Sequence, residues 1–381
     1  MPFYAAALSL SSPLLNTSAP SLFYNAEVKT WDVIIIGGGI IGLSLSLALR
    51  RRGASVLIVE RGEPGREASS AAGGMLVNCS LETAAPLRSL ATASARMYPA
   101  FAQELEFESG MHVDLRDHGT IIFPTREHIP DWKGFAHAKS LPVPPADIEP
   151  ALADTNCPAF YLEERSVDPR ALSAAAWKAA KRRGIDFSSG DEVTAVTVID
   201  DRTTGVTTTK TAFHAAKVVN CAGAWSGQIP PHAFPTRPVK GQMLCLLTPA
   251  HARLKHVIRS AEAYLIPRSD GRLLVGATVE EAGFDKRTDL ETILRLHRAA
   301  LALIPKLRDA KILENWAGLR PGTPDALPIL GASSTPGYYV ATGHFRDGIL
   351  LAPITADVMA AVVEGRTSEY DLAPFSPARF P

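Results

Sequence analysis

Near the start of the chain the apolar positions fall into two short blocks separated by a helical period. Val33 to Ile36 is an unbroken apolar run, right for a strand buried on both faces. Ile40 to Arg52 carries apolar residues at helical spacing and closes at Gly53. Val56 to Val59 is a second apolar block, and it ends at Glu60. The pattern predicts a strand, a helix and a second, parallel strand. Further on, Pro86 to Gly110 predicts a long helix, and Met111 to Pro124 predicts two short strands about a turn near Asp117–Gly119. The proline-dense run Leu141 to Pro150 predicts extended linker or turn. Asp168-Pro169 opens a helix, with Asp as N-cap and Pro at the first helical position, and the helix stops at Gly184.

Asp191 to Val219 alternates apolar and polar residues and is rich in Thr and Val. It predicts a β-meander returning to the apolar strand VVNCAGAW. Pro238 to Leu247 predicts a strand, and Ala263 to Thr278 a hairpin turning at Ser269-Asp270-Gly271. Asp289 to Ile304 is an amphipathic helix, Ile312 to Gly318 is strand-like, and GLRPGTPDALPILG is a Pro/Gly loop. Tyr338 to Ala341 is a last buried strand, and a final helix runs from about Gly348 to Glu364. The sum is an α/β chain whose first domain is interrupted and later resumed.

The glycines between the first strand and helix change the picture from shape to chemistry. Gly37, Gly39 and Gly42 stand at GxGxxG spacing inside a strand–helix–strand unit, the context that a dinucleotide fingerprint requires. Gly37 allows the tight turn, Gly39 lets backbone approach a pyrophosphate, and Gly42 lets the helix pack close to the strand. The helix N-terminus offers unpaired amides and a partial positive charge to that pyrophosphate. Glu60 is placed to accept hydrogen bonds from ribose hydroxyls. The small, glycine-rich stretch from Arg66 to Gly74 lets amides and hydroxyls approach a flat or anionic ligand. The fingerprint alone leaves FAD and NAD both open. There is no second GxGxxG, so electrons come directly from a bound substrate rather than from a second dinucleotide.

Composition narrows the partners. Lys+Arg 39 against Asp+Glu 39 in 381 residues leaves no net charge, which argues against a nucleic-acid or acidic-membrane partner. The scattered Cys79, Cys157, Cys221 and Cys245 form no metal or redox spacing and read as reduced, mostly buried thiols in a cytoplasmic protein. No apolar run is long enough to span a bilayer. Met1 to Thr30 is rich in Ser, Pro and Ala, has Lys29 as its only basic residue, and reads as a disordered extension or a start codon set too far upstream. The basic clusters Arg50–Arg52 and Lys181–Arg183 read as complements to helix dipoles on a solvated face.

The motifs GGGIIGLSLSLALRRRG, SSAAGGML, VVNCAGAW, KGQM, YLIPRSDGRLLVGAT, WAGLRPGTPD and GHFRDGILLAP, in this order, resemble the glycine oxidase group of the D-amino acid oxidase family of flavoproteins. The resemblance runs from about Trp31 to the final helix. It implies a discontinuous Rossmann-type FAD-binding domain (31–85, 155–228 and 317–371) and a substrate-binding domain with an antiparallel β-sheet (86–154 and 229–316). It makes the dinucleotide FAD, and it implies a homo-oligomer, a tetramer. For the cofactor it implies Gly37, Gly39, Ile40, Ile41, Gly42, Glu60 and Arg61 at the ADP part, with the Val193 backbone at adenine. It adds Ser69, Ser70, Ala72, Gly74 and Met75 beneath the pyrophosphate and ring system, together with Gly223. The loop of His344, Phe345, Arg346, Asp347, Gly348, Ile349 and Leu350 then faces the flavin N1–C2 carbonyl, and the following helix N-terminus stabilises negative charge there. Arg320 pairs with the substrate carboxylate, Tyr264 shares it, and Arg346 lies near the substrate. Arginine suits a planar carboxylate better than lysine.

The chemistry implied is oxidative deamination of glycine or a small amino acid by hydride transfer to flavin N5. The imino acid hydrolyses, oxygen yields hydrogen peroxide, and the glycine imine feeds thiazole assembly for thiamine. No side-chain base is needed. Departures from the pattern qualify the substrate. Val279 stands where the group has Met, which widens the pocket toward sarcosine or small D-amino acids. No Cys follows Cys245, which points to non-covalent flavin, and Leu273 and Leu274 replace the Lys of the monomeric sarcosine oxidases. The competing readings are a dehydrogenase with another acceptor, an RNA-modifying oxidase domain, and a flavin-binding protein without turnover.

Overall fold

The apolar block Val33–Ile36 lies inside a six-stranded sheet. The strand order is Ile329–Ala332, Tyr338–Thr342, Val218–Asn220, Val33–Ile36, Val56–Glu60, Asp186–Ser189, all parallel except the first pair. The side-chain period of two sends Val33 and Ile35 to one face and Ile34 and Ile36 to the other. On the first face they meet the helices Ile40–Arg51, Arg88–Ser109, Pro169–Arg182 and Gly348–Val363. On the second they meet Val193, Val196 and Val206 of the meander, whose strands are Val193–Ile199, Arg202–Thr208 and Ala212–Ala215. Each such side chain, fully buried, contributes about 1.5–3 kcal/mol. This three-layer packing places the glycine turn at the carboxyl end of the first strand, where a ligand can reach it.

The computed structural model describes residues 29–78, 81, 83–135, 137–153 and 157–380. Of the expected N-terminal extension, residues 1–28 lie outside the described residues, as does Cys79. Lys29 and Thr30 belong to the fold. Thr30–Trp31 pairs in parallel with Ala212–Ala215, and the Lys29 ammonium lies 2.8 Å from Asp186. Among the described residues, no helix is long and apolar enough to cross a membrane.

A second sheet of eight strands stands beside the first. Its order is Lys311–Gly322, Arg237–Leu247, Arg272–Gly276, Tyr264–Pro267, Val257–Ser260, Thr120–Phe123, Phe160–Leu162, Lys139–Ser140. It is antiparallel except where Val257–Ser260 runs parallel to Thr120–Phe123. Alternation again divides the faces. Leu244 and Leu246 pack under the helix Leu290–Leu303, while Met243 and Cys245 face inward with Met75, Tyr264 and Trp316. Two contacts tie this second sheet to the segment around the short helix Ala68–Ala71, which follows the first sheet's Val56–Glu60 strand: Trp316 Nε1 donates to the Ala71 carbonyl at 3.1 Å, and Arg268 Nη2 donates to the Gly73 carbonyl at 2.6 Å.

Several elements depart from the sequence-based expectation. Met111 to Pro124 holds one strand, Thr120–Phe123, because Arg116 makes only an isolated bridge to Ser166. The proline-dense run contains a short helix, Pro145–Ile148, begun by a proline at its first position. Asp186–Ser189 is a strand that the polar sequence did not signal; it sits at the sheet edge, where partial exposure is tolerated. Arg320 and Pro321 lie on the strand Lys311–Gly322 rather than in a loop, because this is an edge strand and a proline there costs no ladder bond.

The sheets also shift two of the predicted boundaries. Arg88–Ser109 packs on the helices Pro169–Arg182 and Gly348–Val363 of the nucleotide side, and Phe160–Leu162 pairs in the eight-stranded sheet. In the basic clusters, Arg50, Arg51, Lys181 and Arg182 are exposed in the last turns of their helices, as expected, while Arg52 and Arg183 are half-buried and some members of both clusters also make ion pairs. Arg183 binds Glu104 at 2.6 Å and also Glu108, Arg51 shares Glu104, and Arg52 binds Asp357 at 2.7 Å.

Candidate active site

A cavity of about 850 Å³ runs between the two sheets. One end is made by the glycine turn. Gly37 has φ +102°, and a Cβ there would stand 2.6 Å from the Cys221 carbonyl oxygen, so the turn admits only glycine. The helix that follows has no side-chain cap of its own at Gly39. Ser69 Oγ, far along the chain, accepts from the Ile40 amide at 2.9 Å. The amides of Gly39 and Ile41, both lining the cavity, have no acceptor among the described residues. Unsatisfied donors at a helix N-terminus form a site for an anionic diphosphate.

Glu60 is buried and divided between two backbone partners, accepting from the Gly38 amide at 2.7 Å and the Gly62 amide at 2.8 Å. It still borders the cavity, and a carboxylate accepts more than two bonds. Arg61 lies 3.5 Å over the Trp225 ring and pairs with Glu67 at 2.9 Å. Val193 and Gly223 line the same end.

The middle of the cavity is bordered by Ser69, Ala72, Gly74 and Met75 on one side and by the loop of His344, Phe345, Arg346, Asp347, Gly348 and Ile349 on the other. His344 is fully enclosed, and burial pushes its imidazolium down to about 3, so the ring is neutral and bonds Thr355 Oγ1 at 3.1 Å. Positive potential there comes from the N-terminus of Gly348–Val363, not from histidine. The Phe345 amide donates to the Pro321 carbonyl at 2.9 Å, which ties this loop to the Arg320 strand.

At the far end, Arg320 and Tyr264 meet. Arg320 Nη1 donates to the Thr278 carbonyl at 3.1 Å and reaches the Lys240 carbonyl at 3.4 Å. Gly241 makes room for it, since a Cβ there would stand 2.3 Å from Nη1. Gly276 does the same for the Tyr264 ring. Tyr264 is half-buried and lines the cavity. Burial pushes its phenol above the ordinary range, partly offset by the Arg320 and Arg259 guanidinium groups, so it stays a hydrogen-bond donor. Val279 borders the cavity and is 69% exposed, which puts it at the mouth. Among the described residues, no group of three or more His, Cys, Asp or Glu could hold a metal ion.

Three of the expected site residues do not line the cavity. Gly42 lies beneath the helix, where a Cβ would stand 2.1 Å from the Gly37 carbonyl oxygen, so its part is close packing. Ser70 turns back to donate to the Arg66 carbonyl at 2.8 Å. Leu350 is buried, and its carbonyl accepts from Ser94 Oγ at 2.6 Å. Sequence reasoning passed over Trp225, Met243 and Arg259, all of which line the cavity. Trp225 and Met243 stand inside the motifs VVNCAGAW and KGQM. Arg259 has a weaker signal: it comes five residues before Tyr264, and only the strand register reveals it as that tyrosine's partner.

A family model described as FAD dependent oxidoreductase (DAO) matches residues 32–362. The chain is 34% identical over 364 residues to the bifunctional protein ThiO/ThiG of Trichormus variabilis, covering 92% of this chain and 55% of that protein. It thus spans about half the length of that relative. It is also 34% identical over 372 residues to the glycine oxidase of Geobacillus kaustophilus, covering 92% of this chain and 97% of that one. The crystal structure of glycine oxidase from Geobacillus kaustophilus matches with a TM-score of 0.87 at 33% identity, over 92% of this chain and 99% of that chain.

Proposed function

This chain belongs to the DAO family of FAD-dependent oxidoreductases, and we propose that within it the protein acts as an amine oxidase of the glycine oxidase type. The substrate is glycine or another small amino acid. Oxidation removes two electrons and two hydrogens across the Cα–N bond, giving an imino acid that water hydrolyses to the oxo acid and ammonia. Molecular oxygen takes up the electrons and hydrogens as hydrogen peroxide. The glycine imine feeds thiazole assembly for thiamine, and the enzyme works as a cytoplasmic homo-oligomer.

The observation that carries this reading is the convergence of Arg320 and Tyr264 inside a cavity that also borders the glycine turn. The residues present fit FAD. The orphan amides at Gly39 and Ile41 suit its diphosphate, and the backbone-only turn at Gly37 leaves room for close approach. Glu60 and Arg61 flank the adenosine end, and Met75 with the 344–349 loop flanks the ring end. When bound, non-covalently, FAD supplies the two-electron acceptor.

The chain's own residues bind and orient. The Arg320 guanidinium, aimed by two carbonyls, holds the substrate carboxylate, and the protonated Tyr264 phenol donates to it as well. With the carboxylate fixed at this wall, the amine and α-carbon extend into the cavity centre, so orientation replaces a search in solution. Neutral His344 donates or accepts through Thr355 and takes no proton from the substrate.

The test is an anaerobic titration of the FAD-loaded protein with glycine, followed by the oxidised-flavin absorbance. Bleaching, reversed by air with peroxide formed, is the expected result. Failure to bleach with glycine, sarcosine or any small D- or L-amino acid removes the reading.

A further inference from the structure

We propose that Arg268 is a positioning residue: it fixes the spacing between the strip Gly73–Met75, along which the cofactor ring lies, and the wall that carries Tyr264. It thereby sets how fast the substrate is oxidised rather than how tightly it is held. The proposal rests on the amine oxidase reading above. Gly73, Gly74 and Met75 all line the cavity. Backbone bonds hold the strip on one side: the Val167 amide donates to the Gly74 carbonyl at 2.9 Å, and Met75–Leu76 pairs with Arg165–Ser166. On the other side the strip meets the second sheet. A Cβ on Gly73 would stand 2.7 Å from Ile266 Cδ1 and 3.4 Å from Tyr264 Cε2, so bare backbone abuts the wall. Alternation along Tyr264–Pro267 turns Tyr264 and Ile266 inward with Met75, and Arg268, two residues past Ile266, follows them. Its Nη2 donates to the Gly73 carbonyl at 2.6 Å.

Stability alone is a poor reason for this arginine. Arg268 is 4% exposed, and burial pushes its guanidinium below the ordinary arginine range, with Asp168 and Asp114 opposing the shift. Nε and Nη1 are buried with no acceptor among the described residues. Asp168 already accepts from Arg272 Nη2 at 2.7 Å and from the Arg170 amide at 2.9 Å. Burying a charge with donors unmet is costly, and an apolar side chain of similar volume is often no worse for stability. What an apolar side chain lacks is the bond to Gly73, a directed contact from a residue rooted at the end of the Tyr264 strand. With the substrate carboxylate anchored at Tyr264 and Arg320, and the ring along Gly73–Met75, that bond spans the gap that the hydrogen crosses. A displacement of about 1 Å in such a gap can slow a reaction about a hundred-fold.

The test compares Arg268→Gln and Arg268→Lys with the wild type and with Ile304→Val, a lesion in the buried core outside the cavity. Three readouts are taken on the FAD-loaded proteins. They are the visible circular dichroism of the bound flavin, the Kd of acetate from the flavin absorbance perturbation, and the limiting rate of anaerobic reduction by whichever small amino acid reduces the wild type. Arg268→Gln should change the dichroism and slow the limiting rate roughly ten-fold or more, with acetate bound within about three-fold of wild type because Arg320 and Tyr264 are untouched. Arg268→Lys, shorter and without the planar fork, should lie between the two in dichroism and rate. Ile304→Val should melt lower and leave all three readouts alone. Arg268→Gln with a lower melting temperature but wild-type dichroism and rate overturns the proposal, since the arginine is then a tie and nothing more. So does a variant whose acetate binding weakens as much as its reduction slows. If Arg268→Gln does not hold FAD, Arg268→Lys decides, and wild-type dichroism and rate in that variant overturn the proposal. Reduction of the wild type by no amine would sink the amine oxidase reading instead, and the dichroism would still show whether Arg268 sets the surroundings of the ring.

Discussion

The two ends of the cavity are made of different material. At the nucleotide end the contacts are backbone: the Gly37 turn, the open amides of Gly39 and Ile41, and a buried Glu60 that is itself held by two amides. At the substrate end they are long side chains, Arg259, Tyr264, Arg320 and Arg346, brought together from three strands and a loop. Backbone geometry cannot be exchanged one group at a time, so the first end recognises one ligand shape. Side chains can be exchanged singly, so the second end can change substrate while the fold stays as it is. A lesion at either end should therefore show in different measurements: cofactor retention at one, Michaelis constant at the other.

The largest effect is expected from Gly37→Ala. The new methyl would meet the Cys221 carbonyl at 2.6 Å, and φ +102° is itself strained for alanine. Strain of about 1–3 kcal/mol adds to overpacking of similar size. The variant should lose most of its FAD and melt several degrees lower. Gly53→Ala is the control. Gly53 has φ +93° but nothing within 4 Å of the added methyl, so it should keep its FAD and lose only the backbone-strain part, about 1–3 kcal/mol, without the overpacking. Equal FAD loss in both variants would mean that conformation alone, and not the crowded cradle, sets cofactor binding.

The unequal legibility of the two ends has the same origin. The glycine turn and Glu60 are local: their spacing and the two apolar blocks beside them are enough to announce a strand, a turn and a helix. The substrate end is assembled by register. Arg259 faces Tyr264 only because Val257–Ser260 pairs with Tyr264–Pro267, and nothing in the sequence of VIRS marks that pairing. The GLRPG segment misled for a physical reason. Its glycines and proline have loop composition, yet at a sheet edge they form a strand, and Gly322 and Gly318 are small because Val239 and Ala71 crowd them. Arg88–Ser109 was legible as a helix but not by the face it covers, since amphipathicity does not say which sheet lies beneath.

Next in size is the effect at Arg320, where the side-chain end can be broken without touching the cradle. Arg320→Ala should raise KM about a hundred-fold, equivalent to ~3 kcal/mol of a buried charge pair, with FAD content unchanged. Gly241→Ala sharpens the point, because the three atoms nearest its methyl all belong to the Arg320 guanidinium, with Nη1 at 2.3 Å. A flexible side-chain end can move aside. This variant should therefore melt normally and still show KM raised roughly ten-fold from the displaced guanidinium. An unchanged KM in Arg320→Ala would remove the carboxylate assignment.

The smallest effect belongs to Tyr264→Phe. Losing one hydrogen bond to a charged group should raise KM roughly three- to ten-fold. Its pH dependence separates the phenol from the arginine beside it. Burial raises the folded phenol pKa above its unfolded value near 10, with Arg320 and Arg259 offsetting part of the rise. The neutral form is thus favoured in the fold. Its contribution is fully present below about pH 10 and is lost as pH rises through the folded value. Wild-type KM, measured against pH, should show no tyrosine limb up to about pH 10 and a rise beyond it, while the phenylalanine variant should lack that rise. If both profiles climb together, the alkaline limb belongs to the substrate amine or another group. If Tyr264→Phe leaves KM as it was, the phenol packs the wall without bonding the carboxylate, and the guanidinium groups hold the substrate alone.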